Sequence, residues 1–283
     1  MGKRTPAKKE VLSFQRKVWR HYKEHGRVFP WRPTSRALRK DGTLDLYRVL
    51  VSEIMLQQTQ ADRVIPKYGT FLKKFSTIEK LAQAPLRDVL EVWQGLGYNR
   101  RAKSLKKLAE IVVREHGGTI PRSFTALKAL PGIGDYTARA VRAFAFNEPE
   151  VFIETNIRTV FIHSFFNTKK RISDSDIFPL IEQTLPKKDF REWYYALMDY
   201  GVMLKRRYPK PNRKSAHYNR QSPFRDSERR IRGLIIKKLL VGPRTLASLA
   251  KETGEPLERM KKNADALIAE GFVKKGNNHL RLR

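Results

Sequence analysis

The chain has 283 residues, with 59 Lys and Arg against 28 Asp and Glu, a net charge of +31 and no cysteine. That excess of positive charge predicts a polyanionic partner, because each cation set against a phosphate releases counterions; nucleic acid fits better than an anionic membrane, since the basic residues are spread along the chain and not gathered on one amphipathic anchor. The lack of thiols excludes disulfides, thiolate zinc sites and cysteine-ligated iron–sulfur clusters, and neither a membrane-length apolar run nor the apolar core of a secretion signal is present, so a soluble intracellular protein is expected.

Residues 1–8 read as a basic tail. Residues 9–25 place Val11, Leu12, Phe14, Val18, Trp19 and Tyr22 mostly on one helical face. "GRVFPWRP" is a Pro-rich loop and "TSRALRKDGTLD" a polar one. From Leu46 the apolar spacing is helical, with segments near 46–57, 61–74, 77–83, 86–93, 99–116, 123–129, 135–146, 154–166, 174–184 and 189–203. No convincing strand alternation precedes residue 270, so an all-α body is predicted. Residues 206–225 are basic, polar and Pro-containing, the composition of a linker. Residues 226–283 become periodic again: three helices, then two short strands about a Gly-Asn-Asn turn. That order predicts a small winged-helix (α+β) domain, whose third helix and wing commonly face DNA or protein; a helical cap on the main body is the alternative.

Two acids stand out against this basic background. Glu53 lies in "VSEIMLQQT", an otherwise apolar helix, where a structural acid bonded to a loop or an arginine is one reading. Glu154 sits between Ile153 and Thr155-Asn156. Upstream of it, "LPGIGDYTARAV" (130–141) places Gly132 and Gly134 between two helices, with Pro131 ending the first. The free N–H groups of the second helix could hold a phosphate there, although a lone Gly-x-Gly is also a plain helix–helix turn.

That last stretch resembles the helix-hairpin-helix of base-excision DNA glycosylases, in the branch of the MutY-type adenine glycosylases and the related thymine-mismatch glycosylases. Four blocks agree in order: "FPWR" (29–32), "VSEIMLQQTQ" (51–60), "GLGYNRRAKSL" (95–105) and "LPGIGDYTARAV…ETNIRTV" (130–160). The match runs over residues 10–205 and leaves the tail outside. The resemblance implies a two-lobed helical fold, with residues 9–45 and 161–205 in one lobe and 46–160 in the other.

It also implies the chemistry. Breaking the N-glycosidic bond of a purine takes a proton for the departing base and negative charge near the cationic sugar, a labour that two carboxylates in different environments can divide. The resemblance gives Glu53 the proton-donor position. Glu154 falls where the family has an aspartate one methylene shorter, and Asn156 falls at a position supporting that acid. Tyr136 stands where glycosylases that also cut the backbone carry a lysine, so a monofunctional enzyme leaving an abasic site is expected. Gln57, Gln58 and Thr59, with Leu96 and Tyr98, are implied to probe the helix around an extruded base. Gly132, Ile133, Gly134 and Thr137 are implied to form the hairpin that grips the strand; Arg32, Arg100, Arg101 and Lys103 are candidate phosphate contacts.

Two departures stand beside the match. The iron–sulfur loop such proteins usually carry would fall in "GVMLKRRYPKPNRKSAHYNRQSPF", which has no cysteine, so neither cofactor nor metal is expected. Such proteins also carry a β-rich domain that reads 8-oxoguanine after the catalytic half; at that point of this sequence a winged-helix-like tail is expected instead. The leading expectation is a glycosylase acting on adenine opposite 8-oxoguanine or guanine in double-stranded DNA, monomeric, in the cytoplasm with the nucleoid or in the nucleus. The alternatives are a glycosylase for thymine or uracil opposite guanine, or for a modified base, and a catalytically silent lesion binder. Glu53 favours the first, and Glu53, Tyr136 and Asn156 together weigh against the last.

Overall fold

A computed structural model of the chain describes residues 6–32, 38–166, 171–208, 211–218 and 223–283. Its helices are α1 (Lys8–His25), α2 (Leu46–Leu56), α3 (Ala61–Lys74), α4 (Ile78–Gln83), α5 (Leu86–Trp93), α6 (Arg100–His116), α7 (Phe124–Ala129), α8 (Asp135–Phe146), α9 (Thr155–Phe165), α10 (Asp174–Thr184) and α11 (Phe190–Arg207). The tail adds α12 (Glu228–Val241), α13 (Leu246–Thr253), α14 (Leu257–Ala269), β1 (Val273–Lys275) and β2 (Leu280–Leu282). The body is all-α, and the helix ends fall within a few residues of where the periodicity puts them. Local chemistry sets several of these ends. Thr77 caps α4, Ser173 and Asp176 form a capping box on α10, and Gly117 ends α6 in the left-handed conformation.

The chain divides into two compact units. The first comprises Met1–Glu53, Arg122–Ala129 and Ile133–Arg220; the second comprises Ile54–Pro121, Leu130–Gly132 and Gln221–Arg283. Helix α8 and the first half of α9 therefore group with α1, α10 and α11, whereas the lobes implied by the resemblance put residues 46–160 together. The cause is long-range packing. Phe14 of α1 meets Phe161 and Phe165 of α9 and Trp193 of α11 with ring centroids 5.4, 5.0 and 6.0 Å apart. Phe152, just before α9, stacks on Tyr194 at 4.0 Å. Aromatic pairs of this kind contribute about 0.5–1.5 kcal/mol each beyond the area they bury.

In the second unit Phe71, Phe75 and Trp93 form an edge-to-face cluster among α3 and α5. The tail folds about Ile231, Ile235, Met260, Leu267, Phe272 and Leu280, all buried. Its strands pair antiparallel, Val273 with Leu282, and Arg244 adds a bridge to Leu280 with bonds of 3.1 and 2.7 Å. Three helices and a hairpin joined by that third segment match the winged-helix pattern. The tail is seated on the body of its unit: Arg87 Nη2 of α5 donates to the Leu240 carbonyl at 2.5 Å.

The predicted linker is largely tied down within residues 211–218. The Ile172 amide donates to the Lys214 carbonyl at 2.8 Å, and Asn212 bridges the Thr155 carbonyl and the Thr159 hydroxyl at 3.2 and 2.8 Å. A polar composition reads as free chain, yet here its main chain bonds Ile172, ahead of α10, and its Asn212 side chain bonds α9. The remainder of that stretch, 209–210 and 219–222, lies outside the described residues.

Candidate active site

Three elements of the first unit bring the acids together. Helix α2 carries Glu53 into the interior, where it is 6% exposed. Helix α8 begins directly after Gly134, and its first turn presents Tyr136. The Tyr136 hydroxyl donates to Glu53 Oε2 at 3.2 Å, while its ring packs edge-on against Phe152 at 5.7 Å. Glu154 is the N-cap of α9. Its Oε2 accepts from the Asn156 amide at 2.6 Å and its Oε1 from Asn156 Nδ2 at 3.0 Å. The extra methylene is absorbed by folding the carboxylate back over the first turn of its own helix.

The two acids sit in different environments. Burial pushes the Glu53 carboxyl up to about 7; the Tyr136 hydrogen bond opposes that rise, the Glu154 charge adds to it and the Arg32 charge opposes it. Burial, then the Glu53 and Glu154 charges, hold the Tyr136 hydroxyl well above its ordinary range, so it remains a donor at neutral pH. Glu154 instead meets two N–H donors at the positive end of α9, an arrangement that suits negative charge. One acid is thus poised to give a proton and the other to face a developing cation. Tyr136 stands between the two in effect: it bonds Glu53, and the Glu154 charge acts on both groups. A cavity of about 550 Å³ elsewhere in this unit, lined by His21, His25, Arg27, Asp199, Arg206 and Arg207 among others, includes neither acid in its wall.

Gly132 adopts φ +82°, and a Cβ there would lie 2.8 Å from that of Ser104, so both conformation and space require glycine. Gly134 is different. Its φ of −98° is open to any residue, and nothing lies near its missing Cβ. Ile133 and Thr137 are buried, so what the hairpin offers a ligand is main chain rather than those side chains.

Within the second unit, Arg101 ties the two probing segments together. Its Nη1 donates to the carbonyls of Ile54, Met55 and Gln57 at 2.9, 2.8 and 2.5 Å, and its Nη2 reaches Thr59 Oγ1, Leu96 O and Gly97 O at 2.9, 3.2 and 3.1 Å. Burial lowers its pKa to about 10. Gln58 and Tyr98 both take left-handed backbone, at φ 54° and 47°. Gln58 is exposed, whereas Leu96 is fully buried and belongs to the core. The guanidinia of Arg101 and the tail's Arg229 lie 5.6 and 5.4 Å from the Tyr98 ring centroid, and Arg229 also donates a hydrogen bond to its hydroxyl.

Two of the expected phosphate contacts are corrected. Arg101 spends its donors on buried carbonyls. Arg32 is 7% exposed at its side chain and bonds both oxygens of buried Asp199 at 2.9 Å, alongside Arg27 at 2.8 Å. Both guanidinia are buried and bonded inside the protein, Arg32 through Nη1 and Arg101 through both Nη atoms, so neither is presented to a phosphate at the surface. Arg100 is exposed, but its fork is filled by Glu270 at 2.9 and 2.5 Å, and Lys103 donates to the Glu270 carbonyl.

Asp199, Lys205 and Arg229 were not singled out from the sequence. Asp199 gave a usable signal, a lone acid in the apolar run "ALMDYGVML", the same signal that marked Glu53. Lys205 and Arg229 had none, lying among many other cations. The stretch where the resemblance places an iron–sulfur loop supplies Lys205 and the 211–218 segment instead. With no thiolate in the chain, its residues do not fit a cysteine-ligated cluster.

Residues 51–187 match the HhH-GPD superfamily of base excision DNA repair proteins. The chain is 34% identical over 196 residues to an adenine DNA glycosylase of Buchnera aphidicola subsp. Baizongia pistaciae, covering 69% of this chain and 53% of that protein. It is 38% identical over 156 residues to the adenine DNA glycosylase of Homo sapiens, covering 53% of this chain and 28% of that one. The chain thus spans about half or less of the length of these relatives. Among solved structures, a thermostable thymine-DNA glycosylase is similar with a TM-score of 0.59 and 27% identity, over 69% of this chain and 87% of that one. A trapped endonuclease III–DNA covalent intermediate shares the fold, with a TM-score of 0.52 and 18% identity, over 78% of this chain and 92% of that one.

Proposed function

The chain carries across residues 51–187 the helix-hairpin-helix domain of the base excision DNA repair glycosylases, of the MutY type, and from that premise we propose that it is a monofunctional DNA glycosylase releasing adenine mispaired with 8-oxoguanine or guanine. The observation that carries this reading is the division of labour between its acids. Glu53, buried and bonded to the Tyr136 hydroxyl, is held near half-protonation at neutral pH. Glu154 keeps its carboxylate against two N–H donors. Protonation of a ring nitrogen by Glu53 lets the C1′–N bond break and the base depart neutral, Glu154 stabilises the cationic sugar, and water captures C1′ and returns a proton to the Glu53 carboxylate, leaving an abasic site. Tyr136 has no amine with which to attack C1′, so strand cleavage is not part of the reaction.

The partner is double-stranded DNA with an extruded base, bound by a monomer acting in a DNA-containing compartment, and the reaction needs no cofactor. A second reading, thymine opposite guanine, draws support from the likeness to a thymine-DNA glycosylase. Glu53 favours adenine, whose ring nitrogens accept a proton more readily. Incubating the protein with duplexes carrying each mismatch, and separating the free bases by chromatography, decides between them. Free adenine, with strand breaks only after alkali, supports the first reading; thymine release supports the second; no release from any duplex overturns both.

A further inference from the structure

A glutamate is a poor choice for an N-cap, because its carboxylate has to fold back over an extra methylene to reach the helix N–H groups. Glu154 does this, and the Asn156 side chain holds the result: Nδ2 donates to Glu154 Oε1 at 3.0 Å. What fixes Asn156 in turn lies on α11. Lys205 Nζ donates to Asn156 Oδ1 at 2.7 Å. One turn earlier on the same helix, Gly201 lets α11 touch the Asn156 backbone; a Cβ there would lie 2.8 Å from both Asn156 C and Cβ and closer still to its carbonyl oxygen. Helix α11 therefore grips Asn156 at two points, main chain and amide.

We infer that Lys205 is a positioning residue for the Glu154 carboxylate, acting through the Asn156 amide. An amide can present either end to a neighbour, but an ammonium only donates. With Lys205 in place the amide must turn its oxygen toward α11, which leaves its NH2 to face Glu154. The lysine also sets a positive charge one amide away from the carboxylate. Arg158 cannot take over this role, since its fork is held by Asp174 at 2.9 and 2.8 Å. Among the described residues, the Glu154 charge acts on Glu53 of α2, Tyr136 of α8 and Lys205 of α11, and of these Lys205 is the cation, bonded to Asn156. Burial lowers the Lys205 pKa and the Glu154 charge opposes that fall. The catalytic meaning of the device rests on the proposed role of Glu154; its existence does not.

The test uses the full chain with Lys205→Met, which keeps the stem and removes the charge, and Lys205→Arg, which keeps the charge. Lys205→Gln serves as a second neutral variant should the Met variant not fold. In 15N-labelled protein the Asn156 side-chain NH2 signals are assigned by their loss in Asn156→Ala. Their shifts are expected to move in Lys205→Met and to return toward the wild type in Lys205→Arg. Wild-type Asn156 NH2 shifts in both neutral variants overturn the inference, whether or not the wild type releases any base. Single-turnover base release at saturating protein is expected to slow on the order of 10- to 100-fold in Lys205→Met, the scale of a misplaced group at a reacting centre. Lys205→Met/Asn156→Ala is expected to be no slower than Asn156→Ala alone. A further slowing in the double variant would show the lysine acting on DNA directly and not through the amide.

Discussion

The Tyr136 hydroxyl and the Glu53 carboxyl share one hydrogen bond of 3.2 Å, and burial holds both groups toward their neutral forms. For Glu53 this sets the direction of the pH dependence. With its pKa at about 7, the proton to be given is present below that pH and lost above it. Single-turnover base release is therefore expected to fall as pH rises through 7, approaching a tenfold loss per unit. A rate flat between pH 6 and 8.5 would remove Glu53 from the donor role. Glu53→Gln is expected to abolish release while leaving duplex affinity nearly intact; lost affinity would make Glu53 structural.

The same shift makes a stability prediction. The folded-state pKa of Glu53 is raised from 4.5 to about 7, so its share of stability is complete below 4.5 and is lost as pH climbs to 7. Above pH 7 the ionised, buried carboxylate costs about 3 kcal/mol relative to pH 4. Glu53→Gln keeps an acceptor for Tyr136 and carries no charge. Its chemical-denaturation midpoint is expected to exceed that of the wild type at pH 8 and to match it near pH 4.5. Equal midpoints at both pH values would mean that Glu53 is not desolvated.

Glu154 combines a cap with a charge, and two substitutions separate them. Glu154→Ala leaves the first N–H groups of α9 without a side-chain acceptor and is expected to cost about 1 kcal/mol of stability together with all turnover. Glu154→Asp keeps a preferred capping residue, so its thermal midpoint is expected to stay at or above that of the wild type. The retained carboxylate is expected to support base release. Turnover by Glu154→Ala comparable to the wild type would show that this acid takes no part in the chemistry.

Glu270 of the tail receives Arg100 at 2.5 Å and Arg232 at 2.5 Å, and those guanidinia hold its carboxyl down at about 2. The carboxylate sits where the resemblance expects a phosphate. Glu270→Gln is expected to free Arg100 and raise affinity for duplex DNA. The slope of log affinity against log salt should steepen by about one. Fluorescence anisotropy across 50–200 mM salt, on the order used for such slopes, reads both quantities. An unchanged slope would show that Arg100 does not meet the backbone.

Helix positions were legible because their causes are local. Val11, Phe14 and Val18 recur at helical spacing, and Ser173 and Gly117 act within a few residues of themselves. The acids were legible because a carboxylate in an apolar helix or beside a glycine turn is out of place whatever the fold. Arg32 and Arg101 misled for the opposite reason. In the sequence they are two cations among 59, and nothing nearby announces Asp199 or the carbonyls of Ile54 and Met55 that bury them.

The sequence by itself determined an all-α body, a winged-helix-like tail, a strongly cationic surface and which acids to examine, because periodicity, turn chemistry and net charge are properties of short segments or of sums. Only the tertiary structure decided that Glu53 is desolvated and bonded to a tyrosine 83 residues away, that Lys205 faces Asn156 across 49 residues, and which arginines are already spent inside the protein. Desolvation and ion pairing depend on what surrounds a charge in space, and that surrounding is assembled only when distant helices pack.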